Sequence, residues 1–424
     1  MRMIINQILY FGTLTQTNAF QMKENVKRTN QAISWFNLHA WLGYKLCIFM
    51  VVICATGTLA TISHEIDWLI NPMIRVDPME TPIQWDEMQK NFEESHPSSR
   101  LSYLAAPLYP SFATIGLMQT KDGKNRRIFF NPYSGEIIGD LPWYASFQRV
   151  MRDLHRFLLI PINLSLYLVS SFGFVLFVSL VTGLFVYKKW WGGLFKLRFR
   201  RSQRILFGDS HRLLGVWSIP FLFVISITGG FYFIERASAD LNFRFYDPSP
   251  HISVKDQEPS IDYLITIENA ISIAKQNIPG LEVSLVILPR ITNARLLPYR
   301  ISGQVGTILV RERANRVFIN PIDGTPLSHF DSRNASLSER LYESADPLHF
   351  GNFSGLISKV IYFLFGLFTV SMSITGMWMW KNRQLNREQR GLEVDDMGYW
   401  KPISLSVVGL GTISGLVTIL FYTT

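Results

Sequence analysis

The chain has 424 residues, 48% of them hydrophobic and only 17% charged, with a net charge of +9. So apolar a composition argues against one large soluble domain and for several membrane-crossing segments. The excess of positive charge lies in the short connections between apolar runs, while the long connections are near neutral or slightly acidic, which argues for the bias of cytoplasmic loops and against nucleic-acid binding.

Residues 1–34 read as a cytoplasmic N-terminal tail. The apolar run Ile4–Leu14 is short and lacks a small-residue cleavage site, so a signal peptide is not expected, and Met22 is a second candidate start. The first transmembrane segment is assigned to 35–62, with its apolar core over 40–62, and it leaves through SHEIDWLINP at 63–72. Cys47 and Cys54 sit seven apart on one face of it. No CxxC is present, so neither a disulfide framework nor a zinc ribbon is supported.

Residues 63–155 are soluble in pattern and form the first outer domain. An amphipathic helix is expected over 83–94, strands at 101–106, 112–119 and 126–131, then a turn in NPYSGEIIGD, 131–140. A second transmembrane segment occupies 156–187. A basic cytoplasmic loop follows at 188–210, with Lys188, Lys189, Lys196, Arg198, Arg200, Arg201 and Arg204. The third transmembrane segment is 211–234.

The second outer domain, 235–349, repeats the plan: a helix at 261–277, strands near 282–288, 298–302 and 306–312, and a turn in RVFINPIDGTPL, 316–327. A fourth transmembrane segment (350–380), a cytoplasmic loop (381–402) and a fifth transmembrane segment (403–424) complete the chain. The last carries Gly411-x3-Gly415, a close-packing motif. With the basic loops inside, the N-terminus is expected in the cytoplasm and the C-terminus on the outer side of the membrane.

One stretch occurs twice. HAWLGYKLCIFMVVICATG starts at His39 and HRLLGVWSIPFLFVISITG at His211, 172 residues later. Each has a Gly four residues after the His and a Thr-Gly pair at 17 and 18, Thr56-Gly57 and Thr228-Gly229. A second signature also recurs: His155 with Thr182-Gly183, and His349 with Thr375-Gly376. The unit helix–outer domain–helix therefore occurs twice in one orientation, which predicts two halves related by an axis along the membrane normal. The expected fold is a bundle of five transmembrane helices carrying two small α+β periplasmic domains.

In that topology His39 and His211 meet at the inner face, and His155 and His349 at the outer face. Two imidazoles facing one slot in an apolar bundle suit a haem iron, which takes axial ligands from both sides of a flat macrocycle. Two bis-histidine b-type haems are expected, an inner one on His39 and His211 and an outer one on His155 and His349. His64 is an alternative outer ligand, although its counterpart in the second copy is Arg236. At 1.5 Å per residue, Thr56-Gly57 lies roughly 25 Å along the helix from His39, so each Thr-Gly pair belongs beside the other haem. Gly57, Gly229, Gly183 and Gly376 are thus expected to line the cofactors, where a side chain would collide with a macrocycle edge. A lone terminal His is usually a cap or an interfacial residue; four at matching positions argue for ligands. His96, His251 and His329 read as surface residues. No glycine-rich dinucleotide fingerprint is found, so the electron donor is expected to be a quinol or a separate cytoplasmic reductase.

His39 with Gly43, His211 with Gly215, the two Thr-Gly pairs, the Glu65-Ile66-Asp67 to Asn71-Pro72 exit and the two Asn-Pro-x-x-Gly turns resemble the PepSY-associated transmembrane family. The resemblance covers about 35–382 and is strongest to iron-regulated members, including dihaem siderophore reductases. It implies reduction of a ferric siderophore at the periplasmic side for iron acquisition. The family-level alternative is a non-enzymatic membrane protein whose PepSY-like domains bind or regulate a protease or another periplasmic partner. Arg126, Arg127, Arg311, Arg313 and Arg316 are candidate contacts for an anionic chelate.

Overall fold

A computed structural model describes residues 33–199, 202–243, 250–253, 265–292, 295–394 and 397–423. The tail at 1–32, Arg200, Arg201 and the start of the helix expected at 261–277 lie outside them. Among the described residues, four helices are long and apolar enough to cross a membrane: α6 (Asn163–Val186), α8 (Ile219–Asp240), α11 (Gly355–Glu388) and α12 (Trp400–Thr423). A fifth span forms if α1 (Ile33–Lys45) and α2 (Cys47–Thr61) are taken together, although they bend by 67°.

Each histidine-led stretch breaks seven residues after its His. The first interruption is at Leu46, between α1 and α2; the second is at Ser218, between α7 (Gln203–Trp217) and α8. Pro220 supplies a cause in the second copy, because it brings no N–H to the ladder. The first copy has no proline there, and nothing in its sequence announces the bend. The third span, expected at 211–234, is therefore two helices, with His211 on the earlier one.

The described chain forms two compact units. One contains residues up to Val52, Phe172–Ile227 and Phe368–Val407. The other contains Ile53–Ser171, Thr228–Leu367 and residues from Val408 onward.

The second unit holds the sheet. Two separate outer domains were expected, but their strands join into one eight-stranded sheet in the order β11-β10-β9-β6-β1-β2-β3-β4. These are β1 (Arg100–Ala105), β2 (Thr114–Gln119), β3 (Asn125–Phe130), β4 (Ile137–Pro142), β6 (Glu282–Ile287), β9 (Tyr299–Gln304), β10 (Asn315–Ile319) and β11 (Pro326–Phe330). The seam is β1 against β6, antiparallel, with Leu104 opposite Val286. Joining there satisfies the backbone edge each half would otherwise expose. Short β5 (Ile252–Ser253), β7 (Arg290–Thr292) and β8 (Arg295–Leu297) form a separate three-stranded sheet.

Two helices, α4 (Trp85–Ser95) and α9 (Ile267–Asn277), cover one face. Met88 and Phe92 of α4 and Ile267, Ala270 and Ala274 of α9 share a core with Leu104, Ile128, Val286, Ile301 and Val317 from both halves of the sheet. Asp86 of α4 also accepts the Glu268 backbone N–H at 3.1 Å, at the start of α9.

Two sequence expectations fail at turns. Residues 137–142 are strand β4, not the tail of a turn, because only Asn131–Glu136 closes the hairpin. The strand expected at 306–312 is irregular; Gly306 and Leu309 take φ of 74° and 56°, which breaks the pleat, and Ile308 is 81% exposed. The strand there is β10, at Asn315–Ile319.

Further helices in this unit lead into the spans. They are α3 (Ser63–Ile70), α5 (Phe147–Phe157) and α10 (Leu337–Phe350). Beyond α5 the chain turns through Leu158 and Leu159 at φ of 52° and 56°. Gly411 and Gly415 of α12 pack against these two residues so closely that a Cβ at either position would overlap them.

Leu104 is fully buried at the β1–β6 seam. Leu104→Ala should destabilise the folded outer unit by about 2–5 kcal/mol. Because the core is shared, a single shifted unfolding transition is expected in calorimetry. Two transitions, one of them unmoved, would show independent halves.

Candidate paired-histidine sites

The first unit brings His39 of α1 and His211 of α7 together. Their ring centres lie 6.3 Å apart, with planes at 78°. Each ring is tied to a neighbouring span through Nδ1. His39 Nδ1 bonds the Ser179 carbonyl at 3.0 Å and Thr182 Oγ1 at 3.1 Å. His211 Nδ1 bonds the Met372 carbonyl at 3.0 Å and Thr375 Oγ1 at 3.3 Å. A carbonyl only accepts, so each Nδ1 carries the proton and each Nε2 keeps its lone pair. The threonine hydroxyls donate to their own helices, Thr182 to the Val178 carbonyl and Thr375 to the Ser371 carbonyl, both at 2.8 Å. Their oxygens are thereby left to accept from the imidazoles.

The second unit repeats the arrangement with His155 of α5 and His349 of α10. Their ring centres are 6.1 Å apart and their planes meet at 36°. His155 Nδ1 donates to the Ile53 carbonyl at 2.9 Å. His349 Nδ1 shares a 2.9 Å hydrogen bond with Thr228 Oγ1, and the Tyr232 ring packs edge-on against it at 5.1 Å.

The glycines of the Thr-Gly pairs meet imidazoles. A Cβ on Gly57 would stand 2.7 Å from His155 Cε1, one on Gly376 3.1 Å from His211 Cε1, and one on Gly183 3.3 Å from His39 Cε1. Their absent side chains therefore make room for the rings, where the sequence suggested room for a macrocycle edge. Gly43, one turn beyond His39, differs: nothing lies within 4 Å of its Cβ position, so it opens a space on the His39 side of α1. Gly229 follows Thr228 on α8.

Two acidic residues of the 63–72 exit secure the second pair. Asp67 accepts from the backbone N–H groups of Phe147 at 2.8 Å and Gln148 at 3.0 Å, fixing the first turn of the helix that carries His155. Arg127 donates to Ser146 and Gln148 beside it, each at 2.7 Å. Glu65 accepts from Lys359 of α11 at 2.8 Å and from the Tyr109 hydroxyl at 2.9 Å. His349 is placed differently, by a capping box between Ser336 and Glu339 and by Gly351 at φ 68° after the last turn.

The remaining histidines stand apart. His64 is exposed on α3, and the second pair is complete without it. His251 and His329 are exposed, while His96 is half-buried and stacks on Phe92 at 5.3 Å.

The donor set indicates what such a site can hold. Two imidazole nitrogens at roughly 2 Å from one metal, with each ring centre about 1 Å further back, place ring centres roughly 6 Å apart. Among the described residues, no three His, Cys, Asp or Glu side chains converge on one point. Two donors per site suit a group that would bring the remaining metal ligands itself, as a haem would. The bonded Nδ1 groups are of the kind that orients imidazoles in metal sites.

Burial, together with the nearby His155 and Arg156 charges, pushes His349 down to about 3; His155 is lowered chiefly by burial. A histidine lowered in the folded state is bound more tightly by protons when unfolded. Folded-state stability is thus intact above about pH 6.5 and falls as pH drops toward the folded value. For ligand-free protein the slope from His349 alone should approach about 1.4 kcal/mol per pH unit below pH 6. Thermal denaturation between pH 7 and 5 reads it out, and a flat profile would contradict the buried setting of these rings.

Comparison with known families agrees with this organisation. No curated protein sequence matches the chain. The family model described as the PepSY-associated TM region matches residues 36–383, from just before the first paired histidine to near the end of α11. The chain is a multi-pass membrane protein and belongs to the PepSY-associated TM family.

Proposed function

We propose that the protein is a dihaem electron-transfer protein of the bacterial inner membrane that reduces ferric iron, in siderophore form, on the periplasmic side. The observation that carries this reading is the pairing of four imidazoles, two by two, at ring separations of 6.3 and 6.1 Å, each tied through Nδ1. The basic loops put the His39–His211 end in the cytoplasm, and the two copies follow as halves about an axis along the membrane normal.

A bound haem supplies one-electron chemistry at each site. The chain's residues do the rest. His39 and His211 would hold the inner haem, and His155 and His349 the outer one. Ser179, Met372 and Ile53 fix the tautomers through their carbonyls, and Thr182, Thr375 and Thr228 add hydroxyl support. Gly57, Gly183 and Gly376 let the rings seat, and Gly229 adjoins Thr228 at the outer pair. The donor would be a quinol or a separate cytoplasmic reductase, and the acceptor the ferric siderophore.

Purified protein from haem-replete cells should show a Soret band that red-shifts on dithionite, with split α and β bands. A colourless preparation would sink the reading. His211→Ala should remove one haem and leave the outer one largely intact. Retention of both haems in that variant would refute the ligand assignment.

A further inference from the structure

We propose that Tyr232 and Asp346 are positioning residues for His349: together they fix the plane of its ring in the outer pair. The proposal rests on the function above, because it concerns a ligand of the outer haem.

α8 and α10 carry matching polar series. Thr228, Tyr232 and Glu235 lie on the first, and Tyr342, Asp346 and His349 on the second, each spaced by four and then three residues. Such spacing keeps each series on one side of its helix. The two series run in opposite directions and meet in three rungs. Thr228 Oγ1 shares its 2.9 Å hydrogen bond with His349 Nδ1. The Tyr232 hydroxyl donates to Asp346 Oδ1 at 2.8 Å. The Tyr342 hydroxyl donates to Glu235 Oε1. Arg311, just ahead of β10, closes the ladder. It meets Glu235 and Asp346, each at 3.2 Å, and its guanidinium lies 4.5 Å from the centre of the Tyr342 ring.

Tyr232 is the rung that touches the pair from the side. Its ring stands 5.1 Å from the His349 ring, with planes at 84°. Rotation of an imidazole about its last side-chain bond is soft in itself. One hydrogen bond at Nδ1 narrows that rotation, and a second ring at right angles narrows it further. Tyr232 can act as a stop because its own hydroxyl is held by a carboxylate, the stronger kind of acceptor, and that carboxylate is held by Arg311.

The first copy lacks these side chains. Ala60, Ser63, Gln148 and Arg152 occupy the positions that match Tyr232, Glu235, Tyr342 and Asp346. His155 is tied instead to the Ile53 carbonyl. The two imidazoles of the outer pair are therefore oriented by different means, and the ladder acts on His349.

The test is electron paramagnetic resonance of the oxidised holoprotein, because the signal of a low-spin ferric haem depends on the angle between its two axial imidazole planes. Wild type should give two distinct signals, since the inner rings stand at 78° and the outer rings at 36°. His211→Ala assigns them by removing the inner one. Tyr232→Leu should shift the outer signal and leave the inner one in place. Asp346→Ala should shift it too, while Asp346→Asn, which still accepts the Tyr232 hydroxyl, should keep the wild-type position. A residue that served stability alone would lower the melting temperature without moving the signal. An unmoved outer signal in Tyr232→Leu or Asp346→Ala protein that holds both haems would overturn the proposal. Should wild type carry no haem, the function fails; should a variant lose its outer haem, the signal is lost with it. In either case the haem-free protein decides by NMR of labelled histidine. The His349 ring resonances should move in Asp346→Ala while those of His155 stay, and unchanged His349 resonances would overturn the positioning role.

Discussion

Four hydrogen bonds to histidine Nδ1 atoms organise the described parts of this protein. Each ties an imidazole on one helix to a carbonyl or hydroxyl on another, and each acceptor lies at or within four residues of a Thr-Gly pair. An imidazole at a helix contact needs its polar edge satisfied, since an unmatched polar group away from water is expensive. Once Nδ1 is satisfied, the ring can turn only slightly, and in the rings bonded to a carbonyl Nε2 keeps its lone pair. The glycines follow from the same constraint. A ring this close to a helix backbone leaves no room for a Cβ, as the positions of Gly57 and Gly376 show.

The soluble part serves the same end by a different route. Joining β1 to β6 gives the two halves one sheet and one core, so α5 and α10 emerge from a single rigid body. Asp67 then clamps the start of α5, while Ser336 and Glu339 cap α10. The two copies thus solve one problem, holding a helix that ends in a histidine, with unrelated side chains. Asp67 has no acidic counterpart, because the equivalent residue in the second copy is Ala239.

Much of this could be read from residue order. Apolar runs located the spans within a few residues, because a helix in lipid must be long and continuously greasy. Repetition of His, Gly and Thr-Gly at fixed intervals identified the four histidines and their partners, because helical periodicity converts spacing into height. Errors came where local chemistry was ambiguous. Thr307-Ile308-Leu309-Val310 looks like a strand, but positive φ on Gly306 and Leu309 turns it aside. The bend at Leu46 has no proline to signal it, and Gly43, three residues earlier, recurs as Gly215 in the other copy and so does not set the first apart.

The sequence by itself determined which residues repeat, where the chain is apolar and which histidines correspond. Tertiary structure alone decided that the two soluble halves share a sheet, since strand pairing between segments over a hundred residues apart leaves no local mark. It also decided that Gly57, Gly183 and Gly376 receive imidazole rings and that Thr182, Thr228 and Thr375 bond Nδ1, because both depend on which helices lie side by side.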